Sequence, residues 1–293
     1  MAEQSDKSPS DPRFSKSLER GLAVLGCFTP ERSVRGITDM ANELEMNKSS
    51  VHRYATTLVT LGYLEQLPSS HKYRLSLRVA DLGMSALNAT GLKEHARPSL
   101  EELRQTSGYT VSIAVLDGTD IRYIDRLPSS RREQAKIDLN LRPGSALPAY
   151  RTAMGKVMLA HLPEDERRQR IDEMGDLVRH AQKTIASKHT LLLELVQVRE
   201  QGIAVSDEED PPELLSIAVP VRNDASDVVA AINMTAHAAT ISRDQLVDAF
   251  KPHLISTADR ISARLGYRRE DERLATTTQR VAQRAIASTK APE

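Results

Sequence analysis

Apolar residues recur at spacings of three and four in two short stretches of the chain. Ile37, Met40, Ala41 and Leu44 mark the first and Val51, Tyr54, Leu58 and Leu61 the second, with the polar turn Glu45-Met46-Asn47 between them. This pattern predicts two short helices, each burying one stripe. After Gly62 the period changes from helical to alternating. Leu64-Glu65-Gln66-Leu67 and Lys72-Tyr73-Arg74-Leu75 read as strands around the tip Pro68-Ser69-Ser70-His71. Ahead of these elements, Leu18, Leu22, Leu25 and Phe28 form a further amphipathic stripe that ends at Pro30, and a helix there is expected to pack behind the other two. Residues 15–75 thus outline a winged helix-turn-helix. Asn47 or Ser49 can cap its second helix, which opens with Lys48, Ser49, Ser50, His52 and Arg53. Short polar and basic side chains in those first turns suit phosphates and base edges. In the wing, His71, Lys72 and Arg74 are expected to face the DNA backbone.

The remaining chain predicts an α+β domain behind a connecting helix. Val79, Leu82 and Ala86 share one face of a helix within residues 76–90, which links the domains and offers a dimer seam. Beyond Gly91, a helix runs from His95 through Leu100 and Leu103, followed by a strand from Tyr109 to Leu116, the turn Asp117-Gly118 and a strand from Ile121 to Leu127. A third strand is expected from Ala135 to Leu141. Helices follow from near Thr152 to Pro163, over Glu164 to Arg170 and over Leu191 to Gln201. Strands at Ser216 to Val221 and Val228 to Thr235 form a hairpin, and a last helix from Arg243 to Leu265 covers the sheet. The expected domain spans residues 91–267, flanked by a disordered leader at 1–14 and a polar extension at 268–293.

Composition narrows the class. The 293 residues are 40% hydrophobic and 27% charged, with one cysteine, Cys27, which excludes an internal disulfide framework and a cysteine-based zinc site. The first residues carry no apolar signal segment and no apolar run is long enough for a membrane span, so the cytoplasm is the expected compartment. Forty basic residues balance forty acidic ones. Between Arg13 and Arg78, however, basic side chains outnumber acidic ones. An excess so modest suggests that two copies bind DNA together, because phosphate neutralisation supplies most of the affinity.

Catalytic signatures are absent: there is no G-x-S-x-G elbow, no H-E-x-x-H and no Walker A loop. No cofactor is expected. Thr152 and Lys156 share a helical face by their spacing of four, which alone does not make a nucleophile and base. The acidic run Asp207-Glu208-Glu209-Asp210 reads as a solvated loop. A small-molecule site is favoured instead by Asn233 and Thr235, which lie two apart on one face of a strand while Met234 points to the other. These groups could equally bond to nearby backbone. Amides at the start of the Thr152 helix can receive a carboxylate, with Arg142 and Arg151 available as counter-ions. Two alternatives stand beside a ligand-responsive regulator: a DNA-binding protein whose second domain only oligomerises, and an enzyme acting on a small acid.

Five separated segments resemble the IclR family of transcriptional regulators: SLERGLAVLGCFTPE, SSVHRYATTLVTLGYLE, YRLSLRVADLG, LPAYRTAMGKVMLA, and SIAVPV followed by AAINMTAHA. Within that family the wording is similar to regulators of β-ketoadipate and related aromatic-acid catabolism. The resemblance implies a winged helix-turn-helix bound as a homodimer or homotetramer to a palindromic operator, and a C-terminal GAF-like domain that holds a small organic acid. It places the ligand between the sheet and Thr152-Ala153-Met154-Gly155. Polar lining then falls to Ser216, Asn233 and Thr235, and apolar walls to Leu139, Leu147, Met154 and Leu214. Where some relatives carry an acidic residue before the late hairpin, this chain has Ser206 followed by Asp207. Ser216 replaces a cysteine of other relatives.

Overall fold

A computed structural model describes residues 13–29, 31–88, 91–130, 141–209 and 211–268. They fall into two compact units, divided between Ala86 and Leu87. The first comprises helices α1 (Lys16–Gly26), α2 (Ile37–Glu43) and α3 (Lys48–Thr60), strands β1 (Leu64–Gln66) and β2 (Tyr73–Leu75), and the start of α4 (Arg78–Asn88), within which the chain passes to the second unit.

Local chemistry explains where these elements begin and end. Asn47 caps α3: its Oδ1 accepts from the Ser50 amide at 2.7 Å and from the Ser49 hydroxyl at 2.9 Å. The turn before it takes Glu45 to a left-handed φ of 51°. Gly62, at φ 79°, ends α3 and lets the Tyr63 amide reach back to the Leu58 carbonyl at 2.8 Å. The hairpin pairs Leu64 with Leu75, Glu65 with Arg74 and Gln66 with Tyr73. Its inward residues, Leu64 and Tyr73, join Val24, Cys27, Met40, Val51 and Ala55 in one core.

Helix α1 differs from its expected orientation. Leu18 and Leu22 are 63% and 58% exposed, and the core is filled from the neighbouring face by Val24 and Cys27, with Phe28 of the expected stripe joining them. The 18/22/25 stripe instead lines an open apolar groove of about 760 Å³ with Tyr54, Leu61 and Leu82. Leu82, on the face of the connecting helix read as a dimer seam, is exposed as well.

The second unit is a six-stranded antiparallel sheet between helical layers. Its helices are α5 (Leu92–Ser107), α6 (Ala153–His161), α7 (Glu164–Glu173), α8 (Lys188–Gln201) and α9 (Arg243–Arg264). Its strands are β3 (Thr110–Asp117), β4 (Asp120–Leu127), β5 (Ala146–Pro148), β6 (Ala204–Asp207), β7 (Leu214–Arg222) and β8 (Val228–His237), in the order β5-β4-β3-β8-β7-β6. The late hairpin is therefore central, as its long apolar strands predict. Val111, Ile113, Ile217, Ile232 and Met234 pack with α5 and α9 on one face. Ala114, Ala204, Ala218 and Ala231 meet α6 and α8 on the other.

Two short strands were not expected from the sequence. β5 pairs Leu147 with Ile121, and β6 pairs Ser206 with Ser216. Most of the third strand expected at 135–141 lies outside the described residues, as does Leu139; Leu141 itself is not in a strand. The leader at 1–12 and the chain from residue 269 also lie outside them.

At Gly155 helix α6 comes against the backbone of residue 149 so closely that an added Cβ would stand 2.2 Å from the Ala149 oxygen and 2.4 Å from its Cα. Rigid backbone cannot yield as a side chain does. Gly155→Ala is expected to destabilise the protein by about 3 kcal/mol or more, the upper range for overpacking. Gly83→Ala in α4, where nothing lies within 4 Å of the added carbon, should be neutral or stabilise by about 1 kcal/mol through helix propensity. Urea denaturation midpoints of both variants check the pair.

Candidate functional site

The outward face of α3 carries the side chains expected to read DNA. Lys48, Ser49, His52 and Arg53 are exposed and Ser50 is half-buried, while Val51, Ala55 and Leu58 hold the opposite face in the core. The Arg53 guanidinium carbon stands 5.6 Å from the Tyr54 ring centroid, a cation–π contact that gives the side chain a defined direction. In the wing, His71 and Lys72 are exposed at the tip, His71 with a left-handed φ of 54°. Arg74 is exposed too, yet it pairs across the hairpin with Glu65 at 2.8 Å, so part of its charge is met within the wing. Arg78 was unassigned from the sequence. It donates to the Leu61 carbonyl at 3.0 Å and lies over Tyr63, tying the start of α4 to the end of α3.

In the second unit the register brings hydroxyl groups from four strands into one row. Ser206 is opposite Ser216, Ser216 opposite Thr235, and Thr235 opposite Thr110. The adjacent row places Ser112 opposite Asn233. All face α6, as alternation along β8 requires. Ser216 and Thr235 hydroxyls are 2.8 Å apart, and Asn233 Nδ2 donates to Thr235 Oγ1 at 3.2 Å. Asn233 Oδ1 and Ser112 Oγ are buried without a hydrogen-bond partner among the described residues. Such atoms cost about 1–3 kcal/mol each when left unsatisfied.

Ala153 and Met154 of α6 are fully buried, as is Leu214 at the start of β7, and Leu147 is half-buried on β5. Thr152 acts as the α6 cap, its Oγ1 accepting from the Gly155 amide at 3.0 Å. The hydroxyl is thus committed to the helix end. Ser112, Thr110 and Ser206 were missed as members of this polar row. The alternation of Thr110 and Ser112 within one strand was visible, but the β3–β8 pairing across more than a hundred residues was not, and Ser206 stands on the short, unexpected β6.

The acidic loop is not solvated as expected. Lys156, with no exposed surface, places Nζ 2.5 Å from Glu209 and 3.4 Å from Glu194. Glu209 is 5% exposed, and its main-chain oxygen accepts from Thr184 at 2.5 Å. Asp207 and Glu208 pair with Lys183 at 3.1 and 2.7 Å. A buried ammonium draws the run inward, because a buried charge must be paired. This also removes Lys156 from any partnership with Thr152. Burial pushes the Glu209 carboxyl up from the ordinary carboxylate range, against the opposing pull of the Lys156 charge.

Among the described residues, no group of histidine, cysteine and acidic side chains could hold a metal, and no helix is long and apolar enough to cross a membrane.

A helix-turn-helix with an exposed polar recognition face, joined to a sheet domain with a buried polar row, defines a DNA-binding transcriptional regulator. Two family models agree: the IclR helix-turn-helix domain matches residues 17–68 and the bacterial transcriptional regulator IclR C-terminal domain matches residues 84–263. The chain belongs to the IclR family. It is 33% identical to the Pca regulon regulatory protein of Pseudomonas putida, over 85% of this chain and 83% of that protein. It is 34% identical to the regulator KdgR of Escherichia coli K12, over 89% of this chain and 96% of that one. Among solved structures, an IclR-family regulator from Brucella abortus aligns with a TM-score of 0.73 at 28% identity, covering 88% of this chain and 95% of that one. An IclR homologue from Microbacterium hydrocarbonoxydans, crystallised with 4-hydroxybenzoate, shares the fold at 23% identity and a TM-score of 0.71, over 85% of this chain and 98% of that one.

The raised Glu209 carboxyl sets a pH dependence. Between its unfolded and folded values the native state holds more protons than the unfolded state, so stability falls as pH rises through that window. Its contribution is fully present below the unfolded value and is lost above the folded one. Glu209→Gln should flatten this slope above the ordinary carboxylate range, read from melting temperature against pH. An unchanged slope would assign the dependence to other groups.

Proposed function

We propose that the protein works as a cytoplasmic homo-oligomer, with a dimer as its DNA-binding unit, that presents two copies of α3 to a palindromic operator. A small organic acid of the aromatic-catabolic class, held between α6 and the sheet, modulates its affinity. The observation that carries the effector half is the pair of buried, unpartnered atoms Ser112 Oγ and Asn233 Oδ1 beside the hydroxyl row. A hydroxy acid offers them both a donor and an acceptor. The small residues Ala114, Ala218 and Ala231 on the same sheet face are apolar. The relatives that act on Pca genes and the homologue crystallised with 4-hydroxybenzoate support the aromatic choice. Catalysis is not part of this reading.

The groove beside α1 supports the oligomer. Leu18, Leu22, Leu61 and Leu82 are at least half exposed, and such contiguous apolar surface marks an association site. A second copy also supplies the phosphate contacts that a chain of net charge +0 lacks overall. Ligand coupling then requires that the acid bind unequally to the states that fit and do not fit the operator.

The decisive experiment titrates DNA from upstream of the protein's own and adjacent genes, with and without protocatechuate, 4-hydroxybenzoate, β-ketoadipate, catechol and muconate. Tight binding changed by one acid supports the reading. Tight binding indifferent to all of them favours a second domain that only oligomerises, and no binding overturns it.

Arg53→Ala should weaken specific operator binding by about 1–3 kcal/mol without changing the melting temperature; unchanged affinity would remove Arg53 from the recognition face. Asn233→Ala should leave operator affinity intact in the absence of acid and reduce the acid response about tenfold or more, as measured by fluorescence anisotropy. A full response in that variant would move the pocket elsewhere.

A further inference from the structure

A polar cleft of about 510 Å³ lies in the second unit, where the end of α6, the start of α7, α8 and the β7–β8 turn meet. It is separate from the hydroxyl row. Arg199 and Arg222 line it with His161, while Glu166 and Asp227, both exposed, also contribute to its walls. Neither arginine has a carboxylate within ion-pair distance among the described residues. Each donates to one main-chain oxygen: Arg199 to Ala160 at 3.5 Å and Arg222 to Ser226 at 2.9 Å. A guanidinium has five N–H groups, so capping a carbonyl leaves most of its donors unspent.

Behind this wall the positive charge is reinforced. Arg167 also donates to the Ala160 oxygen, at 3.4 Å, and its Nε is buried without a partner. His161 donates from Nδ1 to the Val157 carbonyl at 2.8 Å, which leaves Nε2 as the atom that gains a proton on charging. Burial holds the His161 imidazole below its ordinary value, and the charges of Arg222 and then Arg199 lower it further. The hydrogen bond to the Val157 carbonyl opposes this shift. The local potential at the imidazole is therefore positive, although Glu166 and Asp227 balance the two arginines in formal count.

We propose that this cleft is a second ligand site that takes a phosphorylated polyol, such as a sugar phosphate. Arg199 and Arg222 form charge-assisted hydrogen bonds to the phosphate, and His161 charges as the anion arrives. Glu166 and Asp227 accept hydrogen bonds from sugar hydroxyls, which explains acidic groups in an otherwise cationic cleft. The volume exceeds that of a lone phosphate and falls within the range of small-molecule sites. A domain with both pockets reads two chemically different metabolites.

The test uses the full chain with glucose 6-phosphate, inorganic phosphate and glucose as probes. Calorimetry is combined with NMR of the histidine ring protons, the His161 signal being assigned from His161→Gln. Glucose 6-phosphate should bind with Kd below about 1 mM, more tightly than either other probe, and should raise the His161 pKa. Arg222→Gln should weaken it about tenfold or more while leaving 4-hydroxybenzoate binding unchanged. No saturable His161 shift with glucose 6-phosphate, or undiminished binding in the variant, overturns the site. Equal affinity for inorganic phosphate overturns the polyol assignment. Should Arg222→Gln not fold, the titration of the unmodified chain decides alone. Repeating it with Asn233→Ala separates this site from the effector pocket, since the sugar-phosphate response should survive there.

Discussion

The pairing of β3 with β8 is the constraint on which the second unit depends. It joins β5, β4 and β3, which lie within residues 110–148, to β8, β7 and β6, which lie within residues 204–237, and so turns two partial sheets into one. Register matters as much as adjacency. A slip of β8 by one residue would send Asn233 and Thr235 to the α5/α9 face and bring Met234 under α6. Dense apolar packing of Ile113, Ile232 and Met234 on the far face resists that slip.

A row of polar side chains assembled in this way differs from one built on loops. The polar atoms stand on strands whose backbone groups are consumed by the ladder, so the side chains alone have hydrogen-bonding capacity to spare. Gly155 then allows α6 to approach the chain around Ala149 closely enough to roof one end. Below and behind it, Lys156 and Glu209 tie the helix to the segment following β6. Both features fix the same helix.

Much of this architecture was legible in the sequence, for reasons that also explain the gaps. The α2–α3 pair, the wing and α9 have strong periodicity and clear end signals: Asn47 and Gly62 in the first case, and in the last Ser242, which caps α9 together with Gln245. β5 and β6 have only three and four residues, too few for alternation to register. α1 shows the limit of hydrophobic patterning. Leu18 and Leu22 form the more regular stripe, but the core took Val24 and Cys27, because a stripe identifies an apolar face without saying what covers it. Glu209 was misread for a similar reason: its burial is decided by a lysine 53 positions away. For the candidate site, Asn233, Thr235 and Ser216 were legible from strand parity and family likeness, whereas Ser112 required the tertiary pairing.

The lone thiol has a further consequence. Cys27 is 1% exposed at the end of α1, its thiol hydrogen-bonded to the Ala23 carbonyl, and burial raises its pKa, so the thiolate is disfavoured and the sulfur is shielded in the closed unit. With no second cysteine anywhere in the 293 residues, alkylation of the whole chain proceeds only as fast as the helix-turn-helix opens. The molecule carries its own label-free clock for breathing of that unit, and operator DNA, by holding it shut, should slow that clock without touching the sulfur.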